Sequence, residues 1–174
     1  DKAGRMQIVY AGKAHPKDVG GKELIKKIFS RIKELSPKVR IAYLENYDMT
    51  QGKLITSGVD LWLNNPLPPR EASGTSGMKA CLNGVPNLSI LDGWWIEGCI
   101  ENVTGWAIGS AQKQNTDSAQ DARDLYQKLE KIIIPMFYKE KDKWLEVMRH
   151  AIALNASFFN TQRMVQEYVL NAYL

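Results

Sequence analysis

The chain has 174 residues, enough for one domain with a proper core. Hydrophobic residues make up 44% and the net charge is +4, which fits a folded globular protein and excludes a disordered tail or a strongly polyanion-seeking one. No apolar run approaches the ~20 residues needed to cross a bilayer. Cys81 and Cys99 stand alone, without a C-x-x-C motif, so they read as buried free thiols in a reducing compartment and not as metal ligands.

Residues 1–7 (D-K-A-G-R-M-Q) contain no apolar leader, from which a cytoplasmic protein is expected, and the first residue is not Met, so a truncated start is expected. M-Q-I-V-Y-A (6–11) is a short apolar run of the kind that makes a buried parallel strand. Pro16 delays the next helix, which the spacing of Ile25, Ile28, Phe29, Ile32 and Leu35 places at about 19–35, with its lysines on the wet face. That basic face reads as solvated surface; no nucleic-acid partner is expected. After Pro37 come a strand at 39–44, a short helix at 48–55 opened by an Asp48 cap, and a strand at 59–64. The Pro-rich turn 65–70 leads into E-A-S-G-T-S-G-M-K-A (71–80). M-K-A-C-L-N-G (78–84) reads as a helix closed by Gly84, and N-L-S-I-L (87–91) as a strand. Residues 104–117 read as a polar loop.

The C-terminal part carries three helical stripes, expected to face a core by packing on the sheet or crossing to a neighbouring domain: Leu125, Leu129, Ile132 and Met136; Trp144, Met148, Ala151 and Ile152; Val165, Tyr168, Val169 and Ala172. Pro135 is expected to kink or divide the first of these helices. His15 reads as a local hydrogen-bonding residue and His150 as a structural one among core residues. Alternating strands and helices predict an α/β fold, a Rossmann-like doubly wound parallel sheet over residues 1–110 followed by a helical portion over 111–174, in one domain. In such a sheet the loops at the carboxyl ends of the strands, 12–13, 45–47, 64–79 and 92–97, converge on one crevice.

The run 71–80 is the chemically richest. Gly74 and Gly77 permit close backbone approach and unusual φ, and a helix opening near Ser76 exposes unpaired amides carrying partial positive charge. Ser73, Thr75 and Ser76 add hydroxyls, so the turn can grip a phosphate. Lys79, one turn into the helix, places an amine beside it, the pairing that a phosphorylated aldehyde cofactor needs. Glu71 can accept bonds from sugar hydroxyls. A Ser/Gly-rich turn that simply caps a helix, with Lys79 as a surface charge, accounts for the same letters. The nucleoside-triphosphate loop G-x-x-x-x-G-K-[ST] is absent.

E-A-S-G-T-S-G-M-K-A-C-L-N-G-V-P-N-L-S-I-L-D-G-W-W-I-E-G (71–98), with A-G-K-A-H-P (11–16) and L-E-N-Y-D-M (44–49), resembles the α-glucan (glycogen, starch, maltodextrin) phosphorylase family, in its shorter bacterial and archaeal branch. The resemblance implies the C-terminal half of a glycosyltransferase-B fold, with the N-terminal half absent and no complete catalytic set in this chain. It implies pyridoxal 5′-phosphate as a Schiff base on Lys79, with the cofactor phosphate held at Gly74, Thr75 and Ser76 and the ring beside Tyr47. Contacts to the glucosyl hydroxyls are implied at Glu71, Ser73 and Gly74, and no metal is. The implied reaction is phosphorolysis of terminal α-1,4-glucosidic bonds to α-D-glucose 1-phosphate, so the expected partners are α-1,4-glucan, inorganic phosphate and the remainder of the enzyme, with a homo-oligomer left open. G-T-S-G-M-K (74–79) departs from the G-T-G-N-M-K pattern of animal and plant forms, and Asp48 stands where those forms often carry Arg.

Two other functions fit parts of the chain. One is a nucleotide-sugar glycosyltransferase half-domain, whose second ribose-binding carboxylate would fall where Lys79 stands. The other is a non-catalytic glucan-binding module that stacks sugars on Trp94, Trp95 and Trp106, which read equally as core.

Overall fold

The structure, a computed structural model, describes residues 4–36, 38–109 and 118–174. The chain divides into two compact units, 1–53 and 54–174.

The first unit holds β1 (Gln7–Ala11), α1 (Val19–Leu35), β2 (Arg40–Leu44) and the start of α2 (Met49–Gly58). The strands run parallel, Gln7 opposite Arg40 through Ala11 opposite Leu44. A parallel pair needs a long crossover, and α1 supplies it. Asp18 caps α1 by accepting from the Gly21 amide at 2.8 Å. Ile25, Ile28 and Ile32 are half-buried, while Phe29 reaches Tyr43 with ring centroids 4.9 Å apart. The lysines stay exposed, as their spacing predicts. Asp48 caps α2, its Oδ1 accepting from the Gln51 amide at 2.8 Å. His15 is a local residue, its Nδ1 accepting from the Lys17 amide at 3.2 Å.

The second unit holds a three-stranded parallel sheet in the order β3 (Trp62–Asn64), β4 (Asn87–Ile90), β5 (Gly105–Ile108). Between the strands lie α3 (Thr75–Leu82) and the short α4 (Trp95–Gly98). The five strands thus pair as two sets, β1 with β2 and β3 with β4 and β5. The polar-loop expectation fails at 105–108: these residues form β5, all buried, because Trp106 and Ile108 enter the core. Thr104 is buried as well, and residues 110–117 of that expected loop lie outside the described residues. As the edge strand, β5 is covered by α5 (Ser118–Lys128). Lys128 donates to the Ala107 carbonyl at 2.6 Å and to Glu101 at 2.8 Å, and Glu101 in turn accepts from the Ala107 amide at 2.9 Å.

Beyond α5 a π-helical turn, Leu129–Ile133, leads without a break into α6 (Ile134–Lys139), which has Pro135 in its first turn; where a kink or division was expected, the backbone stays helical and only its hydrogen-bond spacing changes. α7 (Lys141–His150) follows, then a second π-helical segment, Ala151–Ala156, and α8 (Thr161–Tyr168). Leu88, Trp106 and Ile108 meet Ile133, Trp144 and Val147 in one cluster, where Trp106 stacks on Trp144 at 5.8 Å. The first helical stripe packs against that cluster, as do Trp144 and Met148 of the second. Ile152 is instead 46% exposed. The third stripe does not pack on the sheet: Val165, Tyr168, Val169 and Ala172 are all exposed, because no described element covers that face of α8 and its continuation. His150 is exposed at the end of α7 and not set among core residues.

Candidate functional site

In the second unit the loops that leave β3 and β4 are fastened to each other, and that junction builds the site. The backbone amide of Glu71 donates to Asp92 Oδ2 at 2.9 Å, that of Gly93 to Asp92 Oδ1 at 3.0 Å, and that of Trp94 to the Ser73 carbonyl at 2.8 Å. Asp92 is buried in doing so. The chain then turns at Gly74, whose φ of +90° is left-handed, and enters α3 at Thr75, one residue before the expected start.

The two glycines of the run have a reason besides ligand approach. A Cβ on Gly74 would meet Trp94 at 2.9 Å, and one on Gly77 would meet Asn87 Oδ1 at 2.7 Å. Their smallness lets the first turn of α3 lie flush on Trp94 and β4. Asn87 completes the fit by donating to the Gly77 carbonyl at 3.2 Å. Asn87 and Leu88 point to opposite faces of β4, one toward α3 and the other into the tryptophan cluster.

With Gly77, Ala80 and Cys81 buried, the opposite face of α3 is the open one. Thr75 and Lys79, four residues apart, share that face and are both exposed. The Gly74 carbonyl accepts from the Gly77 and Met78 amides, whereas the amides of Thr75 and Ser76 have no acceptor among the described residues. Lys79 Nζ likewise has no hydrogen-bond or ion-pair partner among the described residues. This donor set, two free amides and two hydroxyls at the helix start with an amine one turn on, fits a phosphate-bearing aldehyde. Glu71 and Ser73 border an open cleft whose other sides include Met78, Gly93, Glu97, Phe159 and Arg163; Thr75, Ser76 and Lys79 do not line it. The Arg163 guanidinium sits 3.6 Å over the Phe158 ring and donates to the Phe158 carbonyl at 2.6 Å, which fixes that wall.

Six of the seven expected site residues, Glu71, Ser73, Gly74, Thr75, Ser76 and Lys79, therefore lie on one turn and helix start. Tyr47 belongs to the first unit, where it is half-buried with its hydroxyl close to Gly52; a Cβ there would meet it at 2.8 Å. Sequence reasoning did not single out Asp92 or Asn87. The Asp-Gly pair at a strand end was the available signal for the first, since such pairs organise turns through the Asp side chain. Trp94, Trp95 and Trp106 are core: they are 5%, 0% and 0% exposed, and Trp95 and Trp106 bond the Trp106 carbonyl and Asn102 Oδ1 through their indole N–H groups.

Cys81 is buried and Cys99 half-buried. Burial pushes the Cys81 pKa up to about 11 while its Sγ donates to the Ala151 carbonyl at 2.9 Å. Burial, aided by the Glu101 carboxylate, pushes Cys99 up to about 12. Among the described residues no helix is long and apolar enough to cross a membrane.

The family profile described as carbohydrate phosphorylase matches residues 2–127. The chain is 46% identical over 171 residues to maltodextrin phosphorylase of Thermococcus litoralis, covering 97% of this chain and 20% of that protein. It is 44% identical over 173 residues to glycogen phosphorylase of Aquifex aeolicus, covering 97% of this chain and 25% of that one. The chain thus spans between a fifth and a quarter of these relatives' length. Among solved structures it resembles Anabaena HepE in complex with UDP-glucose, with a TM-score of 0.68 over 93% of this chain and 39% of the other. At 17% identity that likeness shows the fold, one half of a glycosyltransferase-B architecture, and nothing finer.

Proposed function

Since the chain belongs to the carbohydrate phosphorylase family, we propose that it is the cofactor-bearing part of an α-glucan phosphorylase. The whole enzyme cleaves terminal α-1,4-glucosidic bonds of glycogen or maltodextrin with inorganic phosphate and releases α-D-glucose 1-phosphate. The observation that carries this reading is the shared open face of Thr75 and Lys79 beside two unpaired amides.

Lys79 is the covalent anchor for pyridoxal 5′-phosphate. Gly74, Thr75 and Ser76 hold its phosphate through the free amides, the hydroxyls and the positive end of α3. For Tyr47, in the first unit, the family resemblance implies a place beside the ring. When bound, the cofactor supplies a phosphate group that exchanges a proton with the substrate phosphate. Glu71 accepts bonds from glucosyl hydroxyls, while Ser73 and Gly74 present polar backbone and side-chain groups to the same sugar. The remaining partner is the rest of the enzyme, without which this chain does not turn over glucan. Two free thiols without a disulfide suit the cytoplasm.

The direct test mixes the chain with pyridoxal 5′-phosphate and records its near-ultraviolet and visible absorption. A new band that vanishes in Lys79→Ala supports the reading. No band, or one unchanged in that variant, sinks it. The chain alone, given maltodextrin and phosphate, is expected to release no glucose 1-phosphate.

A further inference from the structure

Asp92 has no role in the reading above, yet it is the residue on which the sugar side of the cleft hangs. Each of its carboxylate oxygens takes one backbone amide, Oδ2 from Glu71 and Oδ1 from Gly93, at 2.9 and 3.0 Å. The side chain is only 7% exposed. The neighbouring bond from the Trp94 amide to the Ser73 carbonyl closes the junction, and a Cβ on Gly93 would fall 2.5 Å from that same carbonyl. The backbone is therefore held on both sides of Ala72, at Glu71 and at Ser73, against the exit of β4.

α3, which carries Lys79, rests on Trp94 but has further anchors of its own. α3 is seated by Asn87 on the Gly77 carbonyl and by Cys81 on the Ala151 carbonyl, with Ala80 fully buried between. One carboxylate thus bonds the backbone at Glu71 directly and reaches Lys79 only through a helix that these further bonds also hold. We propose that Asp92 is a positioning residue that aims Glu71 and Ser73 at a hexose in the cleft and so sets sugar affinity independently of cofactor capture. The inference rests on the proposed function for Glu71 and Ser73 as sugar contacts.

Asp92→Asn tests it with little change of shape. The amide keeps one acceptor oxygen but turns an NH2 group toward the other backbone N–H, donor against donor. Using the full chain with pyridoxal 5′-phosphate and D-glucose as probe, Asp92→Asn is expected to weaken glucose binding about tenfold or more. The absorption band at Lys79 stays as in the unaltered chain, while the melting temperature falls by a few degrees because one buried backbone N–H loses its acceptor. Glucose affinity unchanged in Asp92→Asn overturns the inference and leaves the proposed function standing. Loss of the cofactor band together with glucose affinity overturns it too, because the two sides would then be one unit. Cofactor capture without any glucose binding by the unaltered chain removes the sugar reading and this inference with it. Asp92-dependent glucose binding without a cofactor band supports the inference and sinks the cofactor reading. Should the variant fail to fold, amide hydrogen exchange in the unaltered chain decides. Slow exchange at both Glu71 and Gly93, slower still with glucose, supports the clamp; solvent-fast exchange at either overturns it.

Discussion

β1 and β4 were both legible as strands, yet no residue of β1 is buried, whereas Asn87, Leu88 and Ser89 of β4 all are. The difference is the number of covers each strand has within its own unit. β1 and β2 have α1, which contributes three half-buried isoleucines. β4 has α3 on one face and the Trp106–Trp144 cluster on the other. A parallel-strand pattern therefore announces a strand, while the degree of burial is conferred by the helices that later fold onto it.

Truncating the core should expose this contrast most strongly. Trp106→Ala removes a fully buried ring stacked on Trp144 and is expected to cost about 3–5 kcal/mol. Ile41→Ala, at a half-buried position of β2, should cost only about 1–2 kcal/mol. Urea unfolding followed by circular dichroism measures both; equal losses would erase the distinction. Glycines give a second, smaller contrast. Gly77→Ala drives a methyl into Asn87 and should lose about 1–3 kcal/mol, whereas Gly12→Ala meets nothing within 4 Å and should be within about 0.5 kcal/mol of neutral.

The third contrast is one of pH. Both cysteines lie in the second unit, and both thiols are held above the ordinary value of 9.0, Cys81 at about 11 and Cys99 at about 12. The folded state retains these protons longer than the unfolded chain, so their contribution is complete below pH 9 and is lost as pH rises through 11 to 12. The second unit should therefore weaken progressively above pH 9 in urea titrations, and its thiols should react slowly with a disulfide reagent at pH 8 until it is unfolded. Prompt labelling of both thiols in the folded chain would contradict their burial. The smallest effect belongs to the exposed Arg31–Glu34 pair on α1. Arg31→Ala should change stability by no more than about 0.5 kcal/mol, and less in high salt.

Much of the site was legible because it is continuous in sequence. Glu71 through Lys79 is a single turn and one helical turn, so spacing alone put its small residues, free amides and amine in reach of one another. What lay outside that stretch was harder to see. Asp92 is 21 residues from the amide it holds. Asn87 reads as an ordinary polar strand residue until its amide is found against the Gly77 carbonyl. β5 was missed because G-W-A-I is bracketed by polar residues and its burial comes from Trp144, 38 positions after Trp106. The stripe at Val165, Tyr168 and Val169 shows the converse: helical periodicity was right, but no described element covers it.

By itself, then, the order of residues determined the local alphabet of this protein: where helices start, which short runs extend, and that a lysine follows a phosphate-suited turn by one helical turn. Those features depend on neighbours within a few positions, through dihedral preference and hydrogen-bond geometry. Tertiary structure decided which of them matter, burying three tryptophans that were candidate sugar platforms, giving the glycines of the turn a packing duty against Trp94 and Asn87, and recruiting Asp92 to hold the strand of backbone beside the lysine. Contacts of that kind join residues far apart in the chain, and only the packed fold brings them within bonding distance.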